Sequence, residues 1–204
     1  MEMKIEEIKA IPSLVLRGRK QSVTALAILM RHTDEKQKKE LLKIIAEKIY
    51  LHRAVLSEGK PGVIVALFNV PVKQFRHELE AIKTAVEIMS EAKRKFINVG
   101  IGINSGKAVV SDEKDKIVNY TCMGDVVTLA RKLSAKAKSK ILISEFVQRI
   151  TDQNIRGDKE EDVSDEVGQS IYSINKVNER EKYKDYVNSV LRRWEEESKK
   201  KPSI

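Results

Sequence analysis

The sequence predicts an α+β domain: a mostly antiparallel central sheet with helices packed on it. Three patterns carry that expectation. Apolar runs of strand length, such as Ser22–Met30 and Val63–Val70, alternate with stretches whose apolar residues recur at helical spacing. Two pairs of β-capable runs flank turn-rich segments, Gly59-Lys-Pro-Gly62 and Ser111-Asp-Glu-Lys-Asp-Lys116, as hairpins do. A further strand sets large side chains against glycines, so that one of its faces is bare backbone.

Taken in order, residues 1–18 read as an N-terminal arm in which Pro12 interrupts any helix and Leu14–Leu16 suit a short strand or a packing arm. Ser22–Met30 is almost continuously apolar, as expected of a central strand covered on both faces. Asp34 is placed to cap the next segment, where Leu41, Leu42, Ile45 and Ile49 follow helical spacing. Leu51–Glu58 and Val63–Val70 form the first hairpin, and Pro71 ends it. His77–Ala92 carries Leu79, Ile82, Val86 and Met89 on one helical stripe. In Phe96–Ile103, Ile97, Val99, Ile101 and Ile103 alternate with Asn98, Gly100, Gly102 and Asn104, so something must pack closely on the glycine face. Asn104-Ser105-Gly106 reads as a strand-to-turn transition, after which Lys107–Val110 and Ile117–Tyr120 make the second hairpin.

The stretch Asn119–Leu133 runs from strand through Gly124 into a helix with Val126, Val127, Ala130 and Leu133 on its apolar face. Gly124 and Asp125 are helix-start residues whose amide groups either meet a phosphate or are capped locally. Lys140–Ser144 reads as a strand, Glu145–Ile150 as a short helix, Thr151–Gly168 as a charged mobile loop, and Ile171–Val177 as the last strand. Residues 178–204 form a C-terminal amphipathic helix and tail, with Tyr183, Tyr186, Val187, Val190, Leu191 and Trp194 on one stripe that needs a surface to cover. The domain itself is expected over 19–177.

Composition narrows the classes. A net charge of +9 suits an anionic partner, yet the lysines and arginines are scattered among acids and aromatic content is only 5%. Nucleic-acid binding therefore ranks last among the readings. Cys122 is the sole cysteine, which excludes an intrachain disulfide and an all-cysteine metal site, and it is read as a packing residue. His32, His52 and His77 show no metal-ligand spacing and are read as surface or boundary residues. Lys132, Lys136, Lys138 and Lys140 are read as a solvated face with some room for an anion. No run approaches the ~18 apolar residues of a membrane span, so a cytoplasmic location is expected.

Asn119–Leu133 resembles the signature of the class III adenylate/guanylate cyclases, Asp-Tyr-Thr-x-x-Gly-Asp-x-Val-Asn-x-Ala-x-Arg-Leu. Four further blocks are similar in order: Arg19-Lys-Gln-Ser-Val-Thr-Ala-Leu26, Ala66-Leu-Phe-Asn-Val-Pro71, Val99-Gly-Ile-Gly-Ile-Asn-Ser-Gly106 and Ile141-Leu-Ile-Ser144. The resemblance implies a ferredoxin-like nucleotide-cyclase fold, with helices on one side of the sheet. It also implies a site shared between two chains, where two divalent cations on two aspartates promote cyclisation of a nucleoside triphosphate. Residue by residue, Leu29 and Gly62 stand where those aspartates are expected. Thr128 replaces the ribose-orienting asparagine, and Lys132 the arginine that stabilises the phosphorus centre. Thr121 occupies the base-selecting position, and Lys60 is the nearest counterpart of its usual lysine partner. Thr121, Gly124, Asp125, Thr128 and Lys132 are thus the nucleotide-binding candidates.

The expectation is a degenerate cyclase-homology domain, catalytically inactive, serving signalling as a regulatory, dimerising or nucleotide-binding module. It would act as a homodimer or with another cyclase-like chain, on a nucleotide or anionic ligand and without a cofactor. The alternative is a subunit completed by a partner that carries the metal aspartates; only then are Mg²⁺ or Mn²⁺ expected. Nucleic-acid binding is a second alternative.

Overall fold

The central strand, β1 (Arg19–Arg31), sets the layers. The computed structural model describes residues 19–31, 34–57, 62–112 and 120–177. The expected N-terminal arm, the C-terminal helix with its Tyr183–Trp194 stripe, His32 and Lys60 lie outside them. After β1 come α1 (Glu35–Leu51), β2 (Val55–Ser57), β3 (Val63–Phe68), α2 (His77–Arg94), β4 (Asn98–Asp112) and β5 (Tyr120–Met123). Then follow α3 (Asp125–Lys136), β6 (Ile141–Ser144), α4 (Glu145–Thr151), β7 (Ile155–Lys159), α5 (Glu161–Val167) and β8 (Ile171–Val177).

The eight strands form one sheet in the order β1-β3-β2-β5-β4-β6-β8-β7, and β1 pairs with β4 as well. Pairing is antiparallel except between β4 and β6 and at the Ser57–Tyr120 contact of β2 with β5. This is the mostly antiparallel α+β architecture the sequence predicts.

The apolar continuity of β1 has its cause in two separate cores. Leu26 and Ile28 join Leu41, Ile45 and Ile49 of α1 and Ile82 and Ile88 of α2. Val23, Ala25 and Ala27 point the other way, onto Val126, Val127 and Ala130 of α3. Successive side chains of a strand face opposite sides, so a strand covered on both has no polar positions to spare. Helices therefore lie on both faces of the sheet, which corrects the one-sided layer implied by the resemblance.

Asp34 caps α1: its carboxylate accepts from the Gln37 amide at 2.7 Å, and the Gln37 side chain returns to the Asp34 amide to close a capping box. Replacing Asp34 by alanine is expected to cost about 1 kcal/mol, read as a lower urea midpoint at constant slope. Of the α1 and α2 stripes, Leu42 and Val86 stay exposed while the other named residues are buried.

Several local expectations need correction. Residues 151–168 form β7 and α5 rather than a mobile loop. Their low apolar content follows from position: among the described residues β7 is the edge strand, bonded to β8 alone, with Ile155 as its buried anchor. Helix α5 is held by Ser164, whose hydroxyl donates to the Glu160 carbonyl at 2.6 Å and accepts from the Ile171 amide at 2.9 Å. Asn104-Ser105-Gly106 is the middle of β4, not a turn. Of the Ile117–Tyr120 strand, only Tyr120 lies among the described residues, and the strand continues to Met123. Leu51 ends α1 instead of opening β2, and Phe96 lies in the turn before β4, 94% exposed.

Candidate functional site

Strand β5, Gly124 and α3 realise the predicted strand-turn-helix. Gly124 adopts φ +139, a backbone region closed to most side chains, and so lets the chain turn from sheet to helix. Helix α3 then lies directly on the bare face of β4. A Cβ on Gly100 would come within 2.2 Å of the Ala137 carbonyl oxygen, and one on Gly102 within 2.2 Å of the Ala130 carbonyl oxygen. The close approach that the glycines of β4 demanded is therefore made by α3. Asn104, next on that face, donates to the Val126 carbonyl at 3.3 Å, and the Arg31 guanidinium donates to the Ala135 carbonyl at the other end of the helix.

Gly124 offers no side-chain cap, and Asp125 is the first helical residue, exposed at the positive end of the helix dipole. Its carboxylate already provides the negative charge that this end favours. Thr128 and Lys132 follow on the exposed flank, one turn apart. Lys132 donates to the Glu166 carbonyl on α5 at 3.4 Å, Lys136 pairs with the Glu166 carboxylate, and Lys140 pairs with Glu160 at 2.6 Å. Much of the lysine face is thus answered by acids from the α5 segment. Thr121 is placed in β5 opposite Ser111. Burial pushes the neighbouring Cys122 thiol up to about 11, so it stays protonated at neutral pH and packs beside the Val23 cluster.

Leu29 pairs with Val63 of β3 on one side and Gly100 of β4 on the other. Gly62 immediately precedes Val63, at φ +88, with nothing within 4 Å of where a Cβ would stand. The two positions therefore lie side by side at one end of the sheet. Alternation along β1 puts Leu29 on the α3 face with Val23, Ala25 and Ala27.

A sequence profile of the adenylate and guanylate cyclase catalytic domain matches residues 62–176, more than half of the 204. The chain belongs to this family. A search of curated proteins finds no match. Among solved structures, the cyclase domain is similar to the non-canonical dimeric guanylyl cyclase domain of the RhoGC fusion protein from the aquatic fungus Blastocladiella emersonii. That pair has 20% identity and a TM-score of 0.66, covering 78% of this chain and 96% of the other. It is also similar to the guanylate cyclase domain of RhGC from Catenaria anguillulae in complex with GTP (17%, TM-score 0.66, 78% and 100%). The adenylyl cyclase CyaB from P. aeruginosa is a third (15%, TM-score 0.67, 79% and 97%). At these identities the likeness is one of fold.

The two positions that the resemblance assigns to the metal aspartates offer no carboxylate to a pair of cations. Hard divalent cations need carboxylate or carbonyl oxygens, whereas Leu29 presents an isobutyl group and Gly62 no side chain. Among the described residues no three histidines, cysteines or acids gather into a metal-binding group. Ala137, at the end of α3, covers Gly100 beside Leu29, whereas Thr128 lies about 13 Å back along the helix axis. Lys132 leans the other way, toward α5.

Sequence reasoning missed a buried polar ring on the opposite face of the sheet. Thr24 is fully buried, and His77, Glu78 and Ser105 are nearly so. The Thr24 hydroxyl donates to Ser105 Oγ at 3.0 Å, and Ser105 donates to Glu78 Oε1 at 3.1 Å. Thr24 Oγ1 also lies 2.7 Å from His77 Nδ1, so the imidazole is tied into the same ring. His77 Nε2 then faces Glu78 Oε1 at 3.4 Å. Burial holds the His77 pKa below its ordinary value, and the Glu78 carboxylate opposes part of that effect. His77 is thus an interior residue, contrary to its reading as surface or boundary. The signal available was a threonine and a serine inside two otherwise apolar strands, each needing a partner. His52 likewise has partners on both ring nitrogens, Glu80 and Glu87, each at 3.1 Å.

Among the described residues no helix is long and apolar enough to cross a membrane.

Proposed function

We propose that this cyclase domain is catalytically silent and works as a regulatory module by pairing with a second cyclase-like chain, its own copy or another. The observation that carries the reading is the pair of positions at the end of β1 and β3. Leu29 and Gly62 sit together where the family's two metal aspartates are expected, and neither has a side-chain oxygen. Phosphoryl transfer relies on positioning and charge stabilisation, and without cations on the phosphates the largest share of that stabilisation is lost. Lys132 retains a positive charge but lacks the two-pronged contact an arginine makes with phosphate oxygens. Pairing is supported by the separation of Thr128 from Leu29 along α3, and the RhoGC domain is described both as a non-canonical dimer and as a monomer.

The purified chain, incubated with ATP or GTP and Mn²⁺, is expected to yield no cyclic nucleotide above the protein-free blank. Robust product would overturn the reading.

A second reading is favoured by one observation: Thr128 and Lys132 stand exposed a turn apart on α3, open to another chain. In it the domain lends these residues to a partner bearing both aspartates. Mixing it with a class III cyclase domain stripped of its own asparagine and arginine separates the two. Restored cyclisation supports the lending role, and continued silence supports the regulatory one.

A further inference from the structure

A groove of about 580 Å³ lies between α2 and the β6–β8–β7 edge of the sheet, away from the signature helix. Its floor is apolar: Val86 and Met89 from α2, Ile141 from β6, and Ile174 and Val177 from β8. Val86 is 36% exposed there, although it belongs to the apolar stripe of its helix. The rim is charged. Lys140 is matched by Glu160, and Asp158 accepts from Asn175. Lys93 and Lys176 lie on the rim outside any ion pair found among the described residues. An occupant that suits this groove has an apolar face and a negative end.

The chain supplies such a segment just beyond the groove. Val177 both lines it and ends β8. Six residues further on begins the stripe Tyr183, Tyr186, Val187, Val190, Leu191 and Trp194, followed at once by Glu195, Glu196 and Glu197. A six-residue connection spans at most ~20 Å, so the stripe cannot travel far from the groove mouth. At helical spacing the stripe is about 18 Å long, and such a stripe needs an apolar surface to cover. The three glutamates bring the charge that Lys93 and Lys176 lack.

The geometry points to this groove as the docking surface for the chain's own residues 183–197, with the aromatic stripe on the Val86–Ile174 floor and the glutamates at the lysine rim. Docking there straps α2 to the edge of the sheet and leaves the α3 face free for a second cyclase domain.

Trp194 is the only tryptophan, so its fluorescence reports the docking directly in the full chain. The expected result is short-wavelength emission with weak acrylamide quenching, independent of protein concentration. Val86→Glu, and separately the pair Lys93→Glu with Lys176→Glu, should raise quenching to that of a peptide of residues 178–204. Val72→Glu, 54% exposed in the loop before α2, should leave it unchanged. The lysine pair serves if Val86→Glu fails to fold, since both lysines are surface residues. Trp194 as quenchable as the free peptide in the unaltered protein would overturn the inference. So would shielding that survives the groove variants. Shielding lost on dilution together with a halving of the mass assigns the cover to a second copy and overturns it too.

Discussion

Alanine in place of Gly102 is expected to cost the domain about 3 kcal/mol or more, at or beyond the top of the usual range for overpacking. The added Cβ would stand 2.2 Å from the Ala130 carbonyl oxygen and 2.4 Å from the Ser134 amide nitrogen, both backbone atoms of α3. No side-chain rotation relieves such a contact, so the helix must lift, and lifting it opens the cluster of Val23, Ala25 and Ala27 beneath. Gly106→Ala is the matched control: its Cβ would meet only Val126 Cγ2, at 3.1 Å, where a side chain can give. A cost below about 1 kcal/mol is expected there. Urea unfolding of the two variants checks the pair, and equal stabilities would show that α3 is not seated as described.

Thr24→Val should cost about 2–3 kcal/mol despite its near-equal volume, because it removes the hydrogen-bond partner of His77 Nδ1 and one partner of Ser105, both buried. The ring also makes stability depend on pH. His77 has a folded pKa below its ordinary value of about 6.5, so as pH falls the unfolded chain takes up the proton first. Where the unfolded state binds more protons, stability rises with pH. The contribution is therefore complete above about pH 6.5 and is lost progressively below it, until the depressed native pKa is passed. Urea midpoints measured from pH 8 down to pH 5 should show this slope, and His77→Gln should flatten that part of the curve. An unchanged slope in the variant would assign the dependence to other groups.

How much of this was legible in the sequence depended on whether a residue's role was set locally. The two-sided burial of the Ser22–Met30 run, found over Val23–Ile28, the cap at Asp34 and the close approach at Gly100 and Gly102 all follow from period and residue size. The family signature extended that reach, since the spacing around Gly124 specifies a strand, a turn and a helix. What failed was non-local. Strand β7 is defined by its ladder to β8, and its own residues, Ile-Arg-Gly-Asp-Lys, carry no strand pattern. His77 looked like a boundary residue because Thr24, its hydrogen-bond partner, lies 53 positions away. In the same way, placing Leu29 beside Gly62 needed the β1–β3 register, which no stretch of sequence shows by itself. The profile match opens at Gly62, so the placement of Leu29 rests on that register and on the order of the blocks.

The pairing of β1 with β4 bears on how the protein is made. Strand β1 leaves the ribosome with both faces apolar, yet its neighbour along Arg19–Arg31 is Asn98–Val110, and the helix that covers one face ends at Lys136. About a hundred residues must follow before that face can be closed, which at ~5–20 residues per second is on the order of 5–20 s of exposure. A nascent strand of this kind is prone to self-association, and charged residues at its ends are the usual safeguard. Arg17, Arg19 and Lys20 before the run and Arg31 after it stand in those places.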